Sequence, residues 1–339
     1  MTGLLDTLPP ALDGRTRTAA PGVDLAASPM LAPLSDRRDF PAGWVFERKL
    51  DGIRVLAVRE NGEVTLRSRS GRRLDATYPE IVDALAAQDC ADFTVDGEIV
   101  AYAHGRTDFG RLQQRMGLTR RADVEASKVA VTYYVFDLLR LDGVDVRRLP
   151  LRNRKSLLRR AMTFQAPLRF TAHRNEGGPE LLADACRRGW EGLIAKRADS
   201  TYQPRRSDDW LKLKCAQGQE FVVGGFTEPA GSREGLGALL IGYYEDGEDG
   251  QLRYAGKVGT GFDRRTLLAL RQRLDELHVD ASPFAGRVTQ SRAHWARPRL
   301  VVQIDFSEWT RDGMLRHPRY QGLRDDKKPT DVVREQAKS

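Results

Sequence analysis

Several features are scarce in this chain of 339 residues, and each scarcity narrows what the protein can be. The three cysteines, Cys90, Cys186 and Cys215, lie far apart with no paired spacing. A disulfide framework or a cysteine zinc site is therefore not expected, and reduced thiols are. The five histidines form no ligand pattern. The apolar runs are all too short for a membrane-crossing helix, so no membrane span is expected. The N-terminus lacks the basic start and apolar core of a secretory signal, and a cytoplasmic location is expected. Neither a P-loop nor a G-x-G-x-x-G run occurs, which argues against a Walker-type or Rossmann nucleotide site. Lysine is scarce too: only ten of the 55 basic residues are lysine. Seven of those ten (Lys49, Lys196, Lys212, Lys214, Lys257, Lys327 and Lys328) fall in short apolar or glycine-rich segments. That placement suits sites needing a compact ammonium rather than a planar guanidinium fork.

What is present describes a water-soluble globular chain with 40% apolar and 30% charged residues. Its length predicts about two domains. The net charge of +8 is that of a protein that meets polyanions, and also of an ordinary basic enzyme. Residues 1–27 are rich in Ala, Pro, Gly and Thr and contain no aromatic residue, which predicts a loosely packed leader. Order is expected to begin near Met30. Strand and turn signals follow, including a hairpin at Asn61-Gly62 and an apparent strand-turn-strand through Asp51-Gly52. Helical spacing covers Tyr78–Ala87, Asp108–Met116, Leu151–Met162 and Pro179–Arg188, and Val129–Leu139 reads as a central strand. After Cys215 the texture changes to short strands, Phe221–Phe226, Ala238–Tyr244, Leu252–Val258 and Leu300–Phe306, with one helix at Asp263–Leu277. That pattern predicts a small β-barrel of the oligonucleotide-binding (OB) type, with Gly224-Gly225 at a bend or bulge. The resulting boundaries are 28–216 for the first domain and 217–339 for the second, with a hinge at Cys215–Gln219.

The chemistry concentrates around Glu47-Arg48-Lys49-Leu50-Asp51-Gly52-Ile53-Arg54. In an extended strand, alternation puts Glu47, Lys49 and Asp51 on one face. A lysine desolvated between carboxylates within an apolar segment can serve as a neutral amine nucleophile. The same residues also suit a solvated surface hairpin, and this stretch alone does not decide. Three further apolar strands carry charge: Asp96/Glu98, Glu191/Lys196 and Lys212/Lys214. Four such strands in one domain predict a cleft where carboxylates hold a divalent cation and amines meet phosphate.

These residues carry a family resemblance. Lys49-Leu50-Asp51-Gly52 resembles the K-x-D-G adenylation motif of covalent nucleotidyltransferases, the ligases and mRNA capping enzymes. Arg69-Ser70-Gly71, Asp96-Gly97-Glu98, Tyr134-Val135-Phe136-Asp137, Glu191-Gly192, Trp210-Leu211-Lys212-Leu213-Lys214 and Arg324–Lys327 are similar to that superfamily's later motifs, in the same order. The run Glu308-Trp309-Thr310-Arg311-Asp312-Gly313 with Leu315-Arg316-His317-Pro318 most resembles bacterial ATP-dependent DNA ligases, in particular the ligase module of end-joining ligase D and its stand-alone relatives.

The resemblance implies an α+β fold, in which a nucleotidyltransferase domain of antiparallel sheets flanked by helices precedes an OB-fold domain. It implies an enzyme that uses ATP with Mg2+ or Mn2+ to seal nicked double-stranded DNA in repair. It further implies a monomer without membrane attachment, recruited by bacterial repair proteins. Lys49 is the expected nucleophile, with Lys212 and Lys214 on the α-phosphate. Glu191, with Glu98, is expected at the metal, and Glu98 also at the ribose. Phe136 would stack on adenine, Glu47 would accept from the adenine amino group, and Arg54 and Arg69 would hold ribose and phosphates. Arg324 and Lys327 would meet the leaving pyrophosphate, while Arg69 and Lys257 would contact DNA. An RNA ligase or capping guanylyltransferase shares this core, and a non-enzymatic nucleic-acid-binding OB protein is the remaining alternative.

Overall fold

The computed structural model describes every residue except 1–2, 13, 19–20, 27, 104, 216, 232–233, 246–249, 311 and 336–339. The chain divides into two units, with the division between Cys215 and Ala216. Ala216 of the expected hinge and Arg311 of the Glu308–Gly313 run lie outside the described residues.

In the first unit the principal elements are β1 (Trp44–Lys49), β2 (Ile53–Glu60), β3 (Glu63–Ser68), α1 (Pro79–Ala86), β4 (Phe93–Ala103), α2 (Phe109–Gln113) and β5 (Val131–Leu141). They are followed by α3 (Leu151–Ala161), α4 (Gly178–Arg187), β6 (Gly192–Arg197) and β7 (Trp210–Lys214). An eight-stranded sheet is built on the order β5-β4-β2-β3, with short strands at its margins. Its apolar side chains, among them Val55, Leu66, Phe93, Val95 and Val135, bury against Ile81 and Leu85 of α1 and Leu157 and Leu158 of α3. A second sheet of four antiparallel strands runs His173–Arg174, β1, β6, β7.

The Asp51-Gly52 turn differs from expectation. It is not a hairpin, because β1 belongs to the four-stranded sheet and β2 to the eight-stranded one. The chain crosses between sheets here so closely that a Cβ on Gly52 would stand 2.2 Å from the Ile99 carbonyl oxygen. Glycine is required for that approach. The Asn61-Gly62 hairpin does form, with both residues at positive φ (53° and 79°), as a two-residue primed turn demands.

Two further expectations are corrected. The described part of the 1–27 segment is not loose: Leu4, Leu5, Leu8 and Leu12 pack on the main core, and Arg17–Thr18 pairs with Val144–Asp145 at the sheet margin. Its leucines supply the apolar surface that its overall composition concealed. Cys186 of α4 and Cys215 after β7 form a disulfide, leaving Cys90 as a free thiol. The 29-residue separation hid this pair, because the β6–β7 hairpin brings the chain back to α4.

The second unit contains β8 (Gln217–Thr227), β9 (Ala238–Tyr244), β10 (Leu252–Val258), α5 (Arg264–Asp275), β11 (Ala293–Phe306) and β12 (Arg319–Leu323). Its sheet runs β10-β9-β8-β11, with β12 also on β11, all antiparallel, in keeping with the OB-type expectation. Asp263 caps α5 by accepting from the Thr266 amide at 2.7 Å, and Leu267, Leu270 and Leu274 face the core. Register slips between Val223 and Gly225, where a Cβ on Gly224 would meet the Phe284 ring at 2.5 Å. Among the described residues no helix is long and apolar enough to cross a membrane.

Candidate active site

Strand register assembles the site. Gly192 of β6 lies opposite Lys49 on one side and Lys214 on the other, and Ile194 lies between Glu47 and Lys212 in the same way. Alternation therefore gives Glu47, Lys49, Lys212 and Lys214 a common face. Gly192 carries φ +146°, and a Cβ there would come 2.0 Å from the Leu213 carbonyl, so no side chain separates the two lysine-bearing strands. The Lys49 ammonium forms an ion pair with Glu191, both side chains being partly open to solvent at 17% and 29%. Burial raises the Glu191 carboxyl, but Lys49, Lys214 and Lys212 more than reverse that, and its pKa lies below the usual carboxylate value. One carboxylate thus sits among three ammonium groups.

Two residues earlier on β1 the surroundings are closed. Glu47 is 2% exposed, with Oε1 2.5 Å from Lys155 Nζ and Oε2 2.6 Å from Lys196 Nζ. Burial raises its carboxyl and the two ammonium groups pull it back below its ordinary value. Each carboxylate oxygen keeps a further lone pair beside its lysine, so the expected acceptance from a base amino group is compatible with these ion pairs. Burial pulls the Lys196 amine down to about 8 despite Glu47. Lys196 Nζ also lies 4.4 Å from the centre of the Phe136 ring and 4.0 Å from that of Trp210.

Phe136 itself is 8% exposed, and the Arg54 guanidinium lies 4.6 Å from the same ring centre. Two cations thus approach the ring on which a base is expected to stack. Arg54 is held by Asp96 through two bonds of 2.5 Å and donates to the Met30 carbonyl at 3.2 Å. Tyr202 donates to the same Asp96 at 2.6 Å. Asp96 is thus the anchor of Arg54. Glu98 lies opposite Arg54 in the β2–β4 register and is half-buried, as is Arg69 just after β3. Among the described residues no group of three or more His, Cys, Asp or Glu side chains is placed to hold a metal ion. A site of one or two carboxylates completed by water and substrate phosphate is the kind Mg2+ uses.

In the second unit Lys257 is exposed on β10. Arg324 is 9% exposed and bonded twice to Asp326 at 2.9 Å, and Lys327 Nζ lies 3.0 Å from Glu220. Both cations are therefore engaged by acids of their own unit.

Sequence reading missed several residues of this region. Arg154 donates two fully buried hydrogen bonds to Asp137, at 2.7 and 2.8 Å, and Lys155 supports Glu47. A signal was available: Arg154 and Lys155 occupy the Leu151/Leu158 face of α3, where core residues belong. Basic residues at core positions imply buried acids, but not which ones.

With this geometry in hand, comparison with known proteins is direct. Residues 29–214 match the family model described as ATP dependent DNA ligase domain, and residues 232–327 match ATP dependent DNA ligase C terminal region. The chain is 40% identical over 334 residues to the multifunctional non-homologous end joining protein LigD of Pseudomonas aeruginosa, covering 96% of this chain and 38% of that protein. It is 40% identical over 319 residues to the multifunctional non-homologous end joining DNA repair protein LigD of Mycobacterium tuberculosis H37Rv, covering 91% and 40% respectively. The chain thus spans about two fifths of the length of these curated relatives. Among solved structures, mycobacterial DNA ligase D complexed with ATP and MES matches with a TM-score of 0.60 and 36% identity, over 91% of this chain and 98% of that one. The chain belongs to the ATP-dependent DNA ligase family.

Proposed function

We propose that this chain is an ATP-dependent DNA ligase that seals 5′-phosphate/3′-hydroxyl nicks through a lysyl-AMP intermediate, in DNA repair. The observation that supports this most is the pairing of Lys49 with Glu191 beside Lys212 and Lys214. In the proposed reaction Lys49 Nζ, once deprotonated, attacks the α-phosphorus of ATP. A P–N bond forms as the bond to pyrophosphate breaks, with Lys212 and Lys214 offsetting the charge that develops. Glu191, assisted by Glu98, suits Mg2+, and Mn2+ accepts the same oxygen donors. A divalent ion bound there supplies charge neutralisation on the triphosphate. An ion held by Glu191 would share the carboxylate with Lys49 and so weaken its hold on the amine.

In the second step AMP passes to the 5′-phosphate of the nick, and in the third the 3′-hydroxyl displaces it. Arg69 and Arg54 are proposed to hold ribose and phosphates, Arg54 through the guanidinium that Asp96 orients. Lys257 is proposed to contact DNA phosphate. Arg324 and Lys327 are proposed pyrophosphate contacts, which requires Asp326 and Glu220 to release them. The proposed setting is the bacterial cytoplasm, with the enzyme acting as a monomer recruited by repair proteins.

Purified protein incubated with labelled ATP and a nicked duplex tests the reading. The expected products are labelled protein and sealed DNA, with no label from GTP. Label from GTP alone, or sealing of nicked RNA but not DNA, would move the assignment to a capping enzyme or an RNA ligase.

A further inference from the structure

Lys49 and Glu191 each have a sequence neighbour engaged on the opposite face of the sheet. Arg48 precedes Lys49, and Trp190 precedes Glu191. The Arg48 guanidinium carbon lies 4.6 Å from the centre of the Trp190 ring. Its Nη2 donates to Thr107 Oγ1 at 3.0 Å, and Thr107 belongs to a short strand paired with β4 in the eight-stranded sheet. Trp190 is fixed from its other end, where its amide donates to the Ala185 carbonyl of α4 at 2.9 Å. One half-buried side chain therefore ties β1 to the residue before Glu191 and to the neighbouring sheet.

We propose that Arg48 and Trp190 are positioning residues for the adenylation step, clamping the backbone from the reverse side so that the Lys49 amine and the Glu191 carboxylate stay in register. This rests on the ligase reading above. Several observations separate the clamp from ordinary surface decoration. Arg48 is half-buried, and its Nε is buried without a hydrogen-bond partner among the described residues. Burial pulls the Arg48 guanidinium below its ordinary value, with the Tyr102 and Tyr134 hydroxyls among the groups working the other way. A buried cation left incompletely bonded is costly, and the aromatic face of Trp190 offsets part of that cost. Arg48 and Lys49 are consecutive on one strand, so a shift of Arg48 moves Lys49 with it. A displacement of about 1 Å at a reacting atom costs on the order of 100-fold in rate.

The test uses the full chain with Trp190→Ala, Trp190→Phe, Arg48→Ala and Arg48→Lys. Trp190→Ala and Arg48→Ala are expected to slow single-turnover adenylation by about 10- to 100-fold. KM for ATP should stay within about threefold, because the ATP-facing side is untouched. Trp190→Phe keeps an aromatic face and should restore most of the rate. Arg48→Lys loses the planar fork and should restore little. A second readout needs no ATP: the rate at which an amine-reactive ester labels Lys49, resolved by peptide mass spectrometry. Loosening the Lys49–Glu191 pair should raise labelling at Lys49 in Trp190→Ala by a few fold, on the order of one weakened ion pair. Wild-type adenylation in Trp190→Ala with unchanged Lys49 labelling overturns the clamp. So does a rate loss that Phe fails to rescue and that follows the melting temperature. Absence of adenylation in the wild type would overturn the ligase reading instead, and Lys49 labelling would still decide the clamp.

Discussion

Glu47 and Lys49 stand two residues apart on one strand and share a face, yet their surroundings differ sharply. Glu47 is sealed at 2% exposure and satisfied by two lysines. Among the described residues Lys49, at 17% exposure, has a single carboxylate partner, itself partly open to solvent. Breaking a buried carboxylate away from its lysines costs several kcal/mol, on the order of 3–5. A partly solvated pair worth about 1 kcal/mol or less can be exchanged readily. The strand thus carries an anchor and a reactive group side by side, and partner count with burial separates them where residue type does not.

Substitutions can break this comparison at either end. The largest expected effect is that of Lys49→Ala, which should reduce protein-AMP to background while shifting unfolding free energy by only about 1 kcal/mol. Label transfer and urea titration on the same sample measure both. Glu47→Ala should do the reverse in kind, destabilising the first unit by about 3–5 kcal/mol because Lys155 and Lys196 remain buried without their acid. Urea midpoints would report it. Unchanged stability would mean that Glu47 is not the anchor.

Glu191→Gln is a smaller perturbation. It should slow adenylation by about 100-fold and raise the divalent-ion concentration needed, with little change in melting. The smallest effect concerns pH. Lys196 titrates at about 8 when folded, below the ordinary lysine value of 10.5, so the folded state holds fewer protons than the unfolded state between those pH values. Stability should therefore rise with pH from about 8 toward 10.5, by about 3 kcal/mol, and be lowest below 8. Lys196→Met should flatten that rise relative to the wild type in parallel melts. An identical slope in both proteins would remove Lys196 as its source.

How much of this could be read from the sequence depended on how local each signal was. Ala238–Tyr244 and Leu252–Val258 match their expected bounds, and Asp108 and Asp263 act as caps, because strand alternation and helix starts are written within a few residues. β11 was expected from Leu300 and begins at Ala293, since its first half is basic and half-exposed and looks like loop. The charged strand residues were visible as a set, and β1, β6 and β7 do bring Lys49, Glu191, Lys212 and Lys214 together.

The division of labour within that set was not visible, because it depends on partners far away in sequence. Lys155 reaches Glu47 across 108 residues, and Tyr202 reaches Asp96 across 106. The same holds for Gly52. Its place beside Asp51 looked like turn chemistry, and only the approach of Ile99, which pairs with Ile53 on the neighbouring strand, shows why a side chain is excluded.

The most direct measurement of the central claim is peptide mass spectrometry of the purified chain after incubation with ATP and Mg2+. The account predicts AMP on the peptide that carries Lys49, on the Lys49 nitrogen, with Lys196, Lys212 and Lys214 unmodified. AMP on any of those other lysines, or adenylate persisting in Lys49→Ala, would contradict it.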